Sequence, residues 1–196
     1  DLILASQSGS RRAMLDAAGV RYRAIPAHLD ELAITAALRR QMATPLEIAE
    51  ALAIAKAQAI SAIEPDALVI GSDSTVSVDG QLFDKPASRE DAARHLAHFS
   101  GRTLWLSSAV ALAHGGQMVW RHSENARLEV HQLSEAFIHA YLDAEWPAIA
   151  ACVGCFRMEG RGVTLFARID GDHFTILGMP LVPLLGALRR FGAMPS

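Results

Sequence analysis

Short apolar runs ending in glycine and small hydroxyl residues alternate along this chain with longer segments whose apolar positions recur every three to four residues. Leu2-Ile3-Leu4-Ala5 reads as a buried strand. It breaks into Ser6-Gln7-Ser8-Gly9-Ser10, and a helix is predicted over residues 11–18, ended by Gly19. Residues 20–26 read as a short strand. Residues 45–63 are alanine-rich with helical periodicity, Thr44 standing as N-cap and Pro45 in the first turn. Residues 67–71 form a continuous apolar run of the buried-strand kind, ending in Ser72-Asp73-Ser74-Thr75. Val76-Ser77-Val78 followed by Asp79-Gly80 predicts a hairpin turn. Ser88-x-x-Asp91 opens a helix over residues 88–99. Residues 104–114 and 117–121 read as paired strands around Gly115-Gly116, and residues 134–143 as a helix. Residues 163–169 and 173–177 read as a hairpin around Asp170-Gly171-Asp172, and a last helix with an apolar stripe covers 180–191. The expectation is an α/β fold, a mixed sheet flanked by helices, in one domain over residues 1–196.

Composition narrows the classes. The chain has 196 residues, 51% hydrophobic and 20% charged, enough for a buried core beneath a soluble surface. A net charge of −3 argues against a general binder of nucleic-acid polymers or anionic membranes, so any phosphate-binding charge must be local. No run approaches the roughly 18 apolar residues that span a bilayer, and the amino terminus lacks a signal-peptide pattern. The two cysteines, Cys152 and Cys155, form a lone C-x-x-C in apolar Ala-Cys-Val-Gly-Cys-Phe with no further ligands spaced for zinc; they are a redox pair or, the reading favoured here, buried reduced thiols. Together these features suggest a cytoplasmic protein.

Chemistry concentrates at a few positions. Ser6 and Ser8, the start of the first helix, and Arg11 and Arg12 are the parts of an anion site, or else a serine cap followed by solvated arginines. Asp73 follows a core strand, where open α/β sheets place their ligand clefts. It could hold a divalent cation, take a proton from water, or close an Asx turn. Lys56 is a single cation on an almost uncharged helix, and either snorkels to water or points into a polar cleft. Lys85 extends from a backbone stiffened by Pro86. Glu31 and Glu159 could complete an acidic cluster or be surface carboxylates. Phe83, Trp105 and Phe156 are aromatic candidates for stacking on a base, or else core residues, the reading favoured here. No H-E-x-x-H, G-x-S-x-G or Walker loop is present.

In chain order these pieces resemble the Maf-like proteins, nucleoside triphosphate pyrophosphatases with a fold related to inosine triphosphate pyrophosphatase and a central cleft. Leu4-Ala5-Ser6-x-Ser8 with Arg11-Arg12 resembles L-A-S-x-S-P-R-R, Asp30-Glu31 the D-E pair, and Ala55-Lys56-Ala57 the helix K-A. Gly71-Ser72-Asp73 with Thr75-Val76 is similar to G-A-D-T-V, Asp84-Lys85-Pro86 to G-K-P, and Ser100-Gly101-Arg102-Thr103 to S-G-R-T. Gly171-Asp172 and Leu177-Gly178-Met179-Pro180-Leu181 resemble G-D…V-G-L-P-L. Gly9-Ser10 replaces the usual Pro-Arg, displacing the first arginine. Leu104 replaces a histidine, Glu159 stands in an I-Q-G position, and Ser74 is an extra residue between Asp73 and Thr75, as in a divergent bacterial branch.

The resemblance implies hydrolysis of a nucleoside triphosphate, standard or modified, to the monophosphate and pyrophosphate. It implies Mg2+ or Mn2+ held by Glu31 and Asp73, with Asp73 as general base and Lys85 and Glu159 as further catalytic residues. Ser6, Ser8, Arg11, Arg12, Lys56 and Lys85 would bind phosphate, and a homodimer is plausible. The alternative is a catalytically weak nucleotide-binding regulator of cell division or stress.

Overall fold

The computed structural model describes residues 1–195. Among them seven strands form one mixed sheet: β1 (Leu2–Leu4), β2 (Arg23–Ala24), β3 (Leu68–Val78), β4 (Gln81–Phe83), β5 (Thr103–His114), β6 (Gln117–Val130) and β7 (Phe166–Asp170). Their order is β2-β1-β3-β5-β6-β7, with β4 paired to β3. β1 runs parallel to both β2 and β3, while β4 and β7 are antiparallel to β3 and β6. The helices are α1 (Gly9–Ala17), α2 (Glu31–Arg40), α3 (Pro45–Ile63), α4 (Arg89–Phe99), α5 (Glu135–Glu145), α6 (His173–Ile176) and α7 (Leu181–Arg190). The mixed α/β class expected from the sequence is therefore present.

Contacts gather the chain into two compact units. The first comprises Asp1–Ser74, Ser107–Glu124 and the chain from Asp172 onward; the second comprises Thr75–Leu106 and Asn125–Gly171.

In the first unit β1, β3 as far as Asp73, and β5 over residues 107–113 are buried on both faces, and their period-two alternation separates two kinds of packing. Val110 and Leu112 of β5 join Leu2, Leu4, Met14, Leu15, Leu184 and Leu188 in a core of large side chains beneath α1 and α7. Between them Ala109, Ala111 and Ala113 meet Ala49, Ala53 and Ala57 of α3. Small residues on both sides let α3 approach the sheet closely. Gly71 of β3 shows how closely: a Cβ built there would lie 2.1 Å from the Ala53 carbonyl oxygen and 2.6 Å from the Ala57 nitrogen.

In the second unit α4 and α5 pack together. Phe83 is buried against Phe99, their rings edge-to-face at 4.8 Å. The buried carboxylate of Glu145 accepts from Arg157 Nη2 at 3.0 Å and from the Arg161 amide at 3.2 Å, fixing the loop between them. Cys155 is buried and Cys152 half-buried, both as free thiols, and burial pushes the Cys155 thiol up to about 12.

Local signals explain most elements. Thr44 and Glu47 form a reciprocal capping box at the start of α3, and Ser88 and Ser134 cap α4 and α5. Several expectations are corrected. β3 does not end at Gly71 but continues through Asp73 to Val78, so Asp73 is a mid-strand residue and not part of an Asx turn. β6 runs on to Val130 rather than ending near residue 121. Residues 161–165 form a 3-10 segment and 173–176 a helical turn, so the hairpin expected around Gly171 is absent. Asp172 accounts for the difference, accepting from the amides of Phe174 and Thr175 as an N-cap. The strand read over residues 20–26 shrinks to Arg23–Ala24, and α2, capped by Asp30, was not anticipated. Trp105 is exposed rather than core, whereas Phe83 and Phe156 are buried.

The packing at Gly71 is testable against a glycine with open space. Gly71→Ala forces a methyl into backbone atoms and is expected to cost about 3 kcal/mol, the upper range for overpacking, or about 6–12 °C in thermal midpoint. Gly9→Ala, with nothing within 4 Å of its new Cβ at the start of α1, is expected to change stability by about 0.5 kcal/mol or less, in the favourable direction. Thermal and urea unfolding of the two variants checks both values.

Candidate active site

The first unit brings together four of the charged residues singled out by sequence. Lys56 projects from α3 with its residue 8% exposed, and Asp73 from β3 is equally buried. Lys56 Nζ lies 2.6 Å from Asp73 Oδ1 and 3.0 Å from Glu31 Oε1 on α2, so one ammonium serves two carboxylates. Its direction was undecided between solvent and a polar cleft, and here it faces the carboxylates. The contact follows from the small-residue seam. With alanines and Gly71 holding α3 against the sheet, a side chain on α3 reaches mid-strand β3 without crossing a layer of bulky groups.

Arg11 joins this cluster. Burial pulls its guanidinium below the ordinary value, and the nearby charges of Asp73 and Glu31 oppose that shift. Three of its five N–H groups meet protein acceptors: Nε donates to the Gly178 carbonyl at 3.0 Å, Nη1 to Ser6 Oγ at 3.4 Å, and Nη2 to Ser74 Oγ at 3.2 Å. Ser6 Oγ also accepts the Ser8 amide at 3.1 Å, and Ser8 Oγ caps α1 by accepting the Arg11 amide. The hydroxyls of the opening segment thus shape the turn and hold the arginine.

Arg12 has a different setting. Adjacent helix positions do not share a face, and Arg12 is exposed beside Asp16, Arg21 and Tyr22 in a shallow hollow of about 420 Å³. Lys85 and Glu159 belong to the second unit, both exposed, and each exerts a charge effect on the Cys152 thiol. Lys85 lines a hollow of about 430 Å³ with Phe83, Asp84, Asp91, His95 and His98.

Ser72 and Ser74, on either side of Asp73, turn to other partners. Ser72 Oγ donates to the Ala109 carbonyl, and Ser74 Oγ pairs with Ser108 Oγ at 2.8 Å. Ser108 and Gly178 were not anticipated as site residues. The hydroxyl pair Ser107-Ser108 interrupting the apolar run of β5 was the available signal. Among the described residues no group of three or more His, Cys, Asp or Glu side chains is arranged to hold a metal ion, so Glu31 and Asp73 are two oxygen donors standing together.

A family model described as "Maf-like protein" matches residues 1–191. The chain belongs to the Maf-like protein family. This Maf-like protein is 47% identical over 196 residues to a protein of Sphingopyxis alaskensis named nucleoside triphosphate pyrophosphatase, covering 100% of this chain and 99% of that one. It is 45% identical over 193 residues to a protein of Rhizobium etli named 7-methyl-GTP pyrophosphatase, covering 98% and 97%. Among solved structures, a HAM1 protein from Coxiella burnetii aligns over 67% of this chain and 73% of its own, at 16% identity and a TM-score of 0.47. Among the described residues no helix is long and apolar enough to cross a membrane.

The shared ammonium makes a stability prediction. Lys56→Met leaves Asp73 buried without its cation, and breaking a buried pair from one side costs about 3–5 kcal/mol. Glu31→Gln, at a side chain 44% exposed, is expected to cost under about 1 kcal/mol, because solvent screens such a pair. Urea midpoints of the two variants decide whether Asp73 is the dominant partner.

Proposed function

We propose that this Maf-like protein is a nucleoside triphosphate pyrophosphatase. The observation that carries the reading is the convergence of Arg11, Lys56, Glu31 and Asp73 on one spot, two cations beside two carboxylates, within the first unit. The names carried by relatives matching nearly the whole chain agree with it.

A triphosphate tail carries about four negative charges that repel an incoming nucleophile, so its charge must be offset before water can attack. Arg11 and Lys56 are the groups suited to that task. The guanidinium offers a planar fork to phosphate oxygens, and the ammonium a compact point charge. Asp73 accepts the proton of the attacking water. The new bond forms from that water oxygen to the α-phosphorus, and the bond to the α–β bridging oxygen breaks. The monophosphate leaves with the added oxygen, and pyrophosphate departs as the leaving group.

The donor set fits a hard divalent cation. Mg2+ is commonly held by one or two carboxylates together with substrate phosphates, and Glu31 and Asp73 supply two such carboxylates. When bound, Mg2+ or Mn2+ would supply Lewis-acid neutralisation of phosphate charge.

Asp73→Asn keeps the size of the side chain and removes its charge. Its pyrophosphate release is expected to fall by about 10²-fold or more, the scale for losing a general base. The check is a pyrophosphate-release assay with and without Mg2+ over a panel of nucleoside triphosphates that includes 7-methyl-GTP. Near-normal turnover by Asp73→Asn removes it from the mechanism, while tight nucleotide binding by the wild type without turnover favours the regulator instead.

A further inference from the structure

Arg11 is held by more than its own helix, and the hydroxyls around it have a definite direction. Ser108 Oγ donates to the Thr175 carbonyl at 2.8 Å. A hydroxyl has one hydrogen, so with that of Ser108 given to Thr175, any hydrogen donated across the 2.8 Å Ser74–Ser108 contact comes from Ser74. The Gly178 carbonyl, 3.1 Å from Ser74 Oγ, is the other place that hydrogen can go. In either arrangement the hydrogen of Ser74 is spent on an acceptor, and its oxygen presents lone pairs to Arg11 Nη2 at 3.2 Å.

The far end of the chain of hydroxyls is anchored as well. Thr175 is fully buried in α6, its hydroxyl donates to Glu124 Oε2 at 2.7 Å, and its amide is capped by Asp172. The Gly178 carbonyl gathers Arg11 Nε, Ser72 Oγ and Ser74 Oγ within 3.0–3.2 Å. Both edges of the guanidinium fork are therefore aimed by groups outside α1.

We infer that Ser74, with its hydroxyl oriented by Ser108, is the positioning residue that aims Arg11 at the phosphate tail. This deepens the pyrophosphatase reading and rests on it for the phosphate. Without the Ser74 oxygen the Nη2 edge loses an acceptor, and the long side chain regains rotamer freedom that a ligand must then freeze out.

The test compares wild type, Ser74→Ala, Ser74→Thr, Ser108→Ala and the Ser74→Ala/Ser108→Ala double variant by two readouts. One is steady-state pyrophosphate release, and the other is hydrogen exchange of the Arg11 Nε–H followed by 15N NMR. Ser74→Ala is expected to raise KM about tenfold, the scale of one hydrogen bond to a charged group, with kcat within about twofold, the signature of lost uniform binding. The same change is expected to speed Nε–H exchange about tenfold. Ser74→Thr, which keeps the hydroxyl in a strand position suited to it, is expected to stay within about threefold of wild type.

The double variant is expected to be no worse than Ser74→Ala alone, because both residues act through one contact. Should Ser74→Ala fail to fold, Ser74→Cys, a weaker acceptor of similar size, gives the same two readouts. Unchanged KM in Ser74→Ala, or a raised KM with unchanged Arg11 exchange, overturns the inference. A wild type that releases no pyrophosphate while Ser74→Ala still frees Arg11 overturns the catalytic reading and leaves Ser74 as the residue that positions the arginine.

Discussion

A lysine ammonium buried between two carboxylates is the interaction on which the arrangement of the first unit depends. Burying one charge is costly unless it is paired and hydrogen-bonded. Lys56 and Asp73, each 8% exposed, meet that condition only because α3 lies close enough to β3 for a 2.6 Å contact. That approach comes from Ala49, Ala53 and Ala57 facing Ala109, Ala111 and Ala113, and from the absent side chain at Gly71. A larger residue at any of these places would move the helix and separate the charges. The apolar seam and the polar cluster are thus one structural decision.

Glu31 adds the second carboxylate from a half-exposed position, and Arg11 adds a second cation within electrostatic reach of both carboxylates. Two positive and two negative groups leave the cluster close to neutral, so no single buried charge has to be offset by a distant one. Charge-stabilising groups accelerate a reaction in proportion to how little they must reorganise. The Gly178 carbonyl and the Ser74 and Ser6 hydroxyls, which accept from Nε, Nη2 and Nη1 of the guanidinium, supply that rigidity through backbone and short side chains. Such side chains lose little rotamer entropy on ordering.

Features governed by local chemistry were legible in the sequence. Thr44-Pro45 with Glu47, Ser88 with Asp91, and the turn glycines Gly115-Gly116 announced the ends of α3, α4 and the β5–β6 hairpin, and each stands as read. What failed depended on tertiary partners. The polar run Ser72-Asp73-Ser74-Thr75 looked like a turn because its side chains suit turns. In the fold those hydroxyls find acceptors on β5 and at Gly178, which lets the strand continue. Residues 173–177 looked like a strand until the Asp172 side chain captured two amides and wound them into a helical turn. The charged residues of the site could be named from sequence, but the pairing of Lys56 with Glu31 and Asp73 could not, since their separation is set by packing rather than spacing.

A cap, rather than the identity of a neighbour, decides which arginine enters the candidate site. Ser8 stops the extended segment by accepting the Arg11 amide, and that bond fixes Arg11 three residues beyond the cap on the same face of the helix. Arg12, one position on, is turned about 100° away by the helical repeat and lies with Asp16 and Tyr22. Gly9 and Ser10 need only be able to begin a helix, which both do here. The register of the cap therefore brings the Arg11 guanidinium within electrostatic reach of Asp73. The extra acceptor that this arginine finds in Ser74 lies on a strand whose course the same hydroxyl network maintains.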